Sequence, residues 1–442
     1  MKPIRYCLLL TLCGLLLAWL LPIITTELLS ASSFPWRRAF LQGSGILSIG
    51  CMSVAMILAV RPVALETPLN GLDKMYRLHK WLGISALAFA LLHWYIAHIP
   101  RWASLRGRGP HGRNMSLENF SVIEQFFHDH HRLAGHIGEL AFYLFLVLIV
   151  LALLRRFPYH RFFKTHYFFA FVYLALVFHS VILMRFDQWA SIAGILSAFL
   201  MIAGSISALI VIFRGVGRKR QAMSKVTALG KYPNTGFMSI EVEFEKPWAR
   251  HQAGQFAFLS LDGKEEAHPF TIASATRDQR RLRFIIKGLG DYTRHMIERL
   301  RIGDAIRVEG PYGRFTFSGN SHRQIWIGGG IGITPFVARL EALAEKPDNR
   351  LIDLFYCSAE HDAHFVDELM RLATAVGVKL HVLHDARDGF LDAKRLMKTV
   401  PDWPESEIWF CGPVGLAQAL KKDLFAQGLD ESWFHQELFE MR

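Results

Sequence analysis

The sequence predicts a bundle of six membrane-spanning α-helices, then an antiparallel β-barrel, then an α/β domain built on a parallel sheet. Three observations support this order. Hydrophobic residues form 52% of the 442 residues and are concentrated in the first half. Short alternating runs broken by Gly, Pro and Asp follow, and buried strands then alternate with helical segments. We therefore divide the chain into domains at residues 1–214, 225–320 and 321–442, with a basic linker between the first two.

Six apolar stretches are long enough, or nearly so, to cross a bilayer, which takes about 20 residues. They are Tyr6–Ile24, Ser44–Val60, Tyr76–Trp94, Leu133–Leu154, His166–Met184 and Trp189–Phe213. The second stretch is the shortest. The first has an alternative interpretation as a signal peptide, because Lys2 and Arg5 precede it, but no convincing small-residue cleavage site follows.

The basic residues predict the orientation in the membrane. With the N-terminus inside, fifteen Lys and Arg residues flank the inner helix ends and eight flank the outer ends. The positive-inside rule then places both termini in the cytoplasm, as in a multi-pass bacterial inner-membrane protein. The formal net charge of +12 is explained by anchoring to anionic lipid. A nucleic-acid partner is not expected, since no basic face with aromatic platforms is evident. Cysteine spacings indicate neither a zinc site nor a disulfide framework.

Two of the predicted helices carry a histidine near each end. His79 and His93 are fourteen residues apart in the third helix, and His166 and His179 are thirteen apart in the fifth. Each spacing spans about 20 Å along a helix, and both helices run in the same direction. His79 is therefore expected level with His166, and His93 level with His179.

Two levels with two imidazoles each form the arrangement that holds two stacked haems. The alternative is that these histidines are structural and pair with the backbone or with each other. The spacing of His166 and His179 needs an explanation. In an ideal helix, two residues thirteen positions apart point about 140° away from each other. The fifth helix must bend or change pitch, or His166 must lie at its frayed start.

The middle domain contains two segments suited to a flavin dinucleotide. "HPFTIAS" at 268–274 supplies a hydroxyl and backbone for the ring, and "KGLGDYT" at 287–293 supplies a cation, Gly-rich backbone and a hydroxyl for pyrophosphate. A helix beginning near Tyr292 adds its N-terminal dipole. A plain hairpin with a turn is the alternative.

The last domain contains a glycine-rich turn between a strand and a helix, "IWIGGGIGITPF". Its glycines let the backbone approach a ligand, and the helix that starts at Pro335 directs its N-terminus toward phosphates. The spacing differs from the usual dinucleotide fingerprint. "FCGP" at 410–413 ends a later strand on the same side of the sheet, where ligands of open α/β sheets bind.

Taken together, these motifs resemble those of the NADPH oxidase / ferric reductase family along essentially the whole chain. The second half is similar to flavoproteins of the ferredoxin–NADP reductase type. The resemblance rests on the two histidine spacings and on "HPFT", "GDYT", "GGGIGITP" and "CGP", which occur in the family's order behind six helices.

The resemblance implies a ligand set for each cofactor. His79 and His166 would hold an inner haem, and His93 and His179 an outer one. FAD would contact His268, Pro269, Phe270, Thr271, Lys287, Gly290 and Thr293, with Phe439 as the C-terminal aromatic against the ring and Phe434 as its fallback. The nicotinamide dinucleotide would contact Gly328, Gly329, Gly330, Gly332, Thr334 and Pro335, with Cys411, Gly412 and Pro413 near its reactive ring.

One departure bears on the electron donor. NADPH-using relatives usually carry arginine after the strand "LFYC", where this chain has Ala359, Glu360 and His361. A carboxylate suits a free ribose hydroxyl better than a phosphate. We therefore expect NADH, or a relaxed preference between NADH and NADPH.

The expected path runs from NAD(P)H to FAD, to the inner haem, to the outer haem and to an acceptor outside, because flavin converts two-electron into one-electron transfer. Dioxygen, giving superoxide, and a ferric chelate are both compatible acceptors. The histidine- and arginine-rich outer loop favours an anionic ferric chelate. Its histidines are a solvated polar cluster, a metal-collecting patch or the lining of an acceptor site; they are His98, His111, His128, His130, His131 and His136. Two other functions remain open: a membrane-anchored flavin reductase with structural histidines, and a haem-containing subunit that reduces a partner protein. No particular protein partner is indicated.

Overall fold

The chain divides into two compact units, one ending at Val216 and the other running from Gly217 to Glu440. This computed structural model describes residues 2–22, 36–103, 121–154, 156–261, 267–276, 279–319 and 321–437. Each unit is described by itself.

The first unit consists of helices. They are α1 (Lys2–Pro22), α2 (Trp36–Ala59), α3 (Val63–Glu66), α4 (Leu72–Ala103), α5 (Val122–Leu153), α6 (Tyr159–Tyr167), α7 (Phe169–Leu183) and α8 (Ile192–Ile212). Six spans are long and apolar enough to cross a membrane, with α6 and α7 together forming the fifth. The predicted six-helix bundle is therefore confirmed.

Helix α2 is the centre of this bundle, and it is longer than its apolar stretch indicated. About 72% of its span is buried, against 17–28% of the other five. Its buried polar residues are small: the Ser48 hydroxyl donates to the Ala86 carbonyl at 3.0 Å, and Ser53 Oγ lies 2.8 Å from Tyr173 Oη. Small residues let neighbouring helices pack closely. The small polar residues also lower the hydropathy of α2, from which the length of its apolar stretch was predicted.

The second unit begins with a six-stranded antiparallel sheet. Its strands are β1 (Gln221–Tyr232), β2 (Phe237–Phe244), β3 (Phe256–Leu261), β4 (His268–Thr271), β5 (Arg281–Lys287) and β6 (Ala305–Tyr312), with α9 (Asp291–Arg299) after β5. The order across the sheet is β4-β3-β6-β1-β2-β5.

The predicted β-barrel is wrong in one respect, because this sheet does not close. Its edge strands β4 and β5 approach each other only at an isolated bridge between Ile272 and Phe284. Beyond that bridge the Arg283 amide donates to the side chain of Ser274, at 3.1 Å. The Ser274 side chain thus takes the amide donor that the ladder of a closed barrel would use. In the other direction, β4 has four residues and is too short to extend the ladder.

A five-stranded parallel sheet follows. Its strands are β7 (Arg323–Gly329), β8 (Leu351–Ser358), β9 (Lys379–His384), β10 (Ser406–Cys411) and β11 (Phe434–Gln436). Its helices are α10 (Thr334–Glu345), α11 (Ala363–Ala375), α12 (Asp385–Asp388), α13 (Ala393–Thr399) and α14 (Val414–Ala426). The order β11-β10-β7-β8-β9 reverses direction between β7 and β10, so a ligand crevice is expected at their carboxyl ends. The predicted parallel α/β domain is confirmed, and β11 is an additional short strand.

One apolar core joins the two sheets of the second unit. Phe237 and Ile285 from the antiparallel sheet belong to the same buried cluster as Trp326 and Phe336 from the parallel domain. Phe317, between the two sheets in sequence, packs against both aromatic rings of the parallel domain with centroids 5.0 and 5.7 Å away. Shared burial of this kind holds the two sheets in a fixed relation.

Candidate cofactor sites

The four membrane histidines form two pairs. The ring centroids of His79 and His166 are 5.8 Å apart, and those of His93 and His179 are 6.2 Å apart. The two partners of each pair come from different helices, and no hydrogen bond joins them in the described part of the chain. The structure thus brings together the residues that the spacing placed on the same level.

Three of the four imidazoles are oriented by a backbone carbonyl on a neighbouring helix. Nδ1 of His79 lies 2.9 Å from the Ala55 oxygen, Nδ1 of His93 lies 2.9 Å from the Leu41 oxygen, and Nδ1 of His179 lies 2.9 Å from the Ala134 oxygen. A carbonyl can only accept, so Nδ1 carries the proton and Nε2 keeps its lone pair. This is the tautomer that a metal ligand needs.

His166 differs from the other three. Its Nδ1 is buried and has no hydrogen-bond partner among the described residues. It lies in the last turn of α6, and Phe168 separates this helix from α7. The break explains how residues thirteen apart serve two levels on one side of the bundle, since a continuous helix would turn them to different faces.

Glycines make room for two of the rings. A Cβ at Gly138 would lie 1.9 Å from Nδ1 of His179, and a Cβ at Gly45 would lie 3.2 Å from Cε1 of His93. An imidazole nitrogen lies about 2 Å from a bound transition metal. Two imidazoles on opposite sides of one iron therefore have centroids roughly 6 Å apart. The ring spacing of both pairs fits six-coordinate haem iron, as do the tautomers of His79, His93 and His179 and the space beside His93 and His179.

The predicted flavin segment "HPFT" is strand β4, at an edge of the antiparallel sheet. The His268 ring stacks on Tyr292 at the start of α9, with centroids 3.7 Å apart and planes 22° apart. Burial lowers the pKa of His268 to about 4, so this imidazole is neutral at physiological pH. The two predicted flavin segments, "HPFT" and "GDYT", are thereby brought into contact.

The segment from Lys287 to Thr293 leads from the end of β5 into the first turn of α9. The Thr293 hydroxyl accepts from the Gly290 amide at 3.0 Å and so closes the first turn. Lys287, the last residue of β5, makes an ion pair with Glu360, which follows β8. A cation beside a helix N-terminus fits a pyrophosphate.

The glycine-rich turn and the "CGP" segment meet at the carboxyl ends of β7 and β10. A Cβ at Gly329 would lie 2.5 Å from Cδ of Pro413, and a Cβ at Gly332 would lie 2.2 Å from the Cys411 carbonyl oxygen. Gly330 has φ +54°, and nothing lies within 4 Å of its Cβ position. Its backbone is therefore open to a ligand, next to the N-terminus of α10, where Thr334 Oγ donates to the Ile331 carbonyl at 2.7 Å. This arrangement fits a dinucleotide phosphate.

Glu437 is a candidate site residue, close to Cys411, that the sequence reasoning missed. Strand β11 pairs in parallel with β10, Phe410 opposite Gln436, so Glu437 and Cys411 both follow that pair. Glu437 is buried, and its Oε1 would lie 3.7 Å from a Cβ at Gly313. Burial raises the pKa of the Cys411 thiol, and the Glu437 carboxylate raises it further. No sequence signal marked it, because Glu437 directly follows β11, a strand of three residues that the sequence did not predict.

The structure describes one of the two C-terminal aromatics. Phe434 is buried in the core on one face of the parallel sheet, with its ring centroid 6.0 Å from that of Phe410. Its ring therefore leaves little surface for a flavin, and its role as the fallback flavin cover stays a prediction. Phe439 lies outside the described residues, and its predicted role stays a prediction.

The outer histidines do not form one site in the described residues. His98 Nε2 lies 3.5 Å from Glu139, and His128 Nδ1 lies 3.6 Å from its neighbour Asp129. His130 Nδ1 bonds to the Phe126 carbonyl of its own helix. No group of three or more metal-ligating side chains is found in the described part of the chain. His111 lies outside that part.

Three family models match the chain in succession. Residues 44–177 match the ferric reductase like transmembrane component, residues 223–316 match an FAD-binding domain, and residues 326–422 match an oxidoreductase NAD-binding domain. The chain has the ferric reductase / NADPH oxidase-like architecture. The FAD-binding and NAD-binding matches support the predicted FAD and NAD(P)H cofactors. The first match, with six apolar helices, supports a multi-pass membrane protein.

Similar curated proteins match the second half of the chain. NADH-cytochrome b5 reductase 1 of Lodderomyces elongisporus is 29% identical over 39% of this chain and 62% of its own length. The reductase component of propane 2-monooxygenase of Rhodococcus jostii is 26% identical over 42% of this chain and 55% of its own. The chain thus spans little more than half the length of these relatives.

A solved structure is similar over the same half. The flavohem-like FAD/NAD-binding domain of nitric oxide dioxygenase from Vibrio cholerae O1 biovar El Tor is 22% identical, with a TM-score of 0.43, over 49% of this chain and 97% of that domain.

Proposed function

We propose that this protein is a transmembrane oxidoreductase that passes electrons from NADH or NADPH through FAD and two b-type haems to an acceptor on the opposite side of the membrane. The observation that carries this proposal is the pair of histidine levels, each with imidazole centroids about 6 Å apart, within a ferric reductase-like membrane domain. FAD and NAD-binding domains in the same chain supply a source of electrons.

The chemistry requires this sequence of cofactors. When bound, reduced nicotinamide supplies two electrons as hydride, FAD supplies them one at a time, and haem iron carries single electrons. The residues of the chain bind and orient these groups. The carbonyls of Ala55, Leu41 and Ala134 keep three imidazoles in the ligand tautomer, and the apolar bundle excludes water around them.

The second unit positions the hydride donor. The turn at Gly328–Gly332 and the N-terminus of α10 would bind the dinucleotide phosphates, and Cys411–Pro413 would lie under the nicotinamide. The buried Cys411 thiol has a raised pKa, so it acts as a neutral, uncharged surface for the ring and not as a thiolate nucleophile.

The acceptor is either a ferric chelate or dioxygen, which would give superoxide. Two histidines would bind each iron and leave no position on it for the acceptor, so the acceptor would take its electron at the edge of a bound haem. Arginines before α5, such as Arg106, Arg108 and Arg113, favour an anionic ferric chelate through electrostatic attraction. We place both termini on the side of the NAD(P)H.

An optical experiment tests the proposal. Detergent-purified protein is supplied with FAD under anaerobic conditions, and its spectrum is recorded before and after addition of NADH or NADPH. We expect a low-spin b-type haem spectrum, about two haems per chain, and reduction by the nucleotide. Oxygen and ferric citrate, added to separate aliquots, then show which acceptor reoxidises the haem faster.

The same experiment separates the two alternatives. A membrane-anchored flavin reductase predicts flavin reduction without any haem spectrum. A haem-containing subunit for a partner protein predicts that the haem is reduced by nucleotide, with no turnover by either acceptor until the partner is added.

A further inference from the structure

One of the ion pairs that join the antiparallel sheet to the parallel domain of the second unit lies between Lys287 and Glu360. Lys287 ends strand β5 of the antiparallel sheet, and Glu360 follows strand β8 of the parallel sheet. The Lys287 side chain is 21% exposed and that of Glu360 is 44% exposed. The pair is therefore accessible to ligands from solvent.

Each partner lies where a ligand group would compete for it. Lys287 directly precedes the glycine-rich segment that leads into the N-terminus of α9, the proposed pyrophosphate position. Glu360 follows the second strand of the parallel sheet, the position from which acidic side chains bind the adenosine ribose in dinucleotide folds. Its amide donates to the Ser358 hydroxyl at 3.3 Å, which holds the turn.

The pair is weak enough to exchange. Ion pairs at exposed positions contribute between about 0 and 1 kcal/mol, and a pyrophosphate offers Lys287 more negative charge than one carboxylate does. The Phe237 ring, 5.6 Å from the Lys287 nitrogen, supports the side chain without fixing its direction.

On the basis of the proposed function, we infer that Lys287 is shared between Glu360 and the FAD pyrophosphate, so that FAD binding frees Glu360 to bind the adenosine ribose of NADH. The two binding events are then positively coupled, and by linkage each raises the affinity for the other by the same factor.

ADP-ribose is the probe that isolates this coupling. It carries the adenosine ribose and the pyrophosphate but no nicotinamide, so neither stacking on flavin nor hydride transfer contributes. Its dissociation constant is measured by calorimetry on the full chain in detergent, without FAD and with saturating FAD. We expect FAD to strengthen ADP-ribose binding about threefold to fivefold, equivalent to ~0.6–1 kcal/mol.

Three variants locate the coupling. Glu360→Gln and Lys287→Met are both expected to reduce the factor to about one, Lys287→Met being measured at saturating FAD. Glu243→Gln is the matched control, since Glu243 makes an ion pair with Arg281 at the other end of β5, at 3.3 Å, and it should retain the wild-type factor.

The inference is overturned if wild-type protein shows no coupling, or if Glu360→Gln retains it in full. Failure of the nucleotide-binding part of the proposed function, on which the inference rests, gives a different result: FAD-loaded wild-type protein would then bind no ADP-ribose at all.

Discussion

The two units build their candidate sites in opposite ways. In the membrane unit the sites consist of side chains: His93 and His179 project from separate helices, and carbonyl groups on neighbouring helices orient them. In the second unit the dinucleotide site consists largely of backbone. Gly329 and Gly332 pack so closely against the "CGP" segment that a Cβ atom does not fit at either position.

The difference follows from what each site would hold under the proposed function. A haem would stay in place, so its ligands could be fixed by buried hydrogen bonds in an apolar bundle. A nicotinamide dinucleotide enters and leaves in every cycle, so its phosphates are best held by backbone amides at a helix N-terminus. The comparison teaches that the membrane sites are destroyed by removing a side chain, and the dinucleotide site by adding one.

The largest effect is expected from removing one haem ligand. His93→Ala leaves His179 without a facing imidazole, so we expect haem content to fall from about two per chain to about one. A pyridine haemochrome assay measures the ratio. His130→Ala is the control, because the contacts of His130 among the described residues are to the carbonyl and the ring of Phe126 on its own helix. Unchanged haem content in His93→Ala would contradict the assignment.

Adding a methyl group tests the other half of the comparison. Gly332→Ala places a Cβ 2.2 Å from the Cys411 carbonyl oxygen, so the turn and the "CGP" segment must separate. We expect flavin reduction by NADH to slow about a hundredfold, with FAD content unchanged, as measured by stopped-flow absorbance.

Gly230→Ala is the matched control for this substitution. Gly230 lies in β1, and its added Cβ would meet only Ser239 Cβ at an ordinary 3.5 Å. A normal rate in Gly332→Ala, or an equal loss in Gly230→Ala, would show that close backbone packing does not shape the site.

The sequence predicted contacts that follow from regular helical rise better than contacts that depend on strand pairing. Histidine spacing placed His79 level with His166, since helical rise is regular. The open antiparallel sheet was not predictable in the same way, because it depends on Ser274 taking the Arg283 amide. Glu437 was missed because its position depends on β11, a strand of three residues that exists only through pairing with β10.

The Arg283 side chain of the second unit holds elements of the fold together and does not belong to a candidate site, so it gives a stability test. Arg283 makes ion pairs with Glu341 of α10 and Glu368 of α11, the latter at 3.1 Å. Glu368 also accepts from the Tyr232 hydroxyl at 2.6 Å. Arg283→Met would leave two poorly exposed carboxylates without their cation, so we expect a loss of ~2–3 kcal/mol in the free energy of unfolding.

Arg281→Met is the control on the same strand. Arg281 pairs with Glu243 at an exposed position, and its loss should cost less than ~0.5 kcal/mol. Heat unfolding followed by release of FAD fluorescence compares the two variants. Equal midpoints would show that the network does not hold the antiparallel sheet to α10 and α11.

The smallest effect concerns the imidazole of His268, which stacks on Tyr292. Burial lowers the pKa of His268 in the folded protein to about 4, from an ordinary value of about 6.5. The unfolded chain therefore binds the proton first, and stability is lost as the pH falls from about 6.5 toward 4, while it is insensitive to this group above pH 7. Because the ring is partly exposed, we expect a loss of ~1–2 kcal/mol at pH 4.5. In FAD-free protein, His268→Gln should flatten this part of the pH profile of the unfolding midpoint; parallel profiles would mean that the imidazole is as accessible to protons in the folded chain as in the unfolded one.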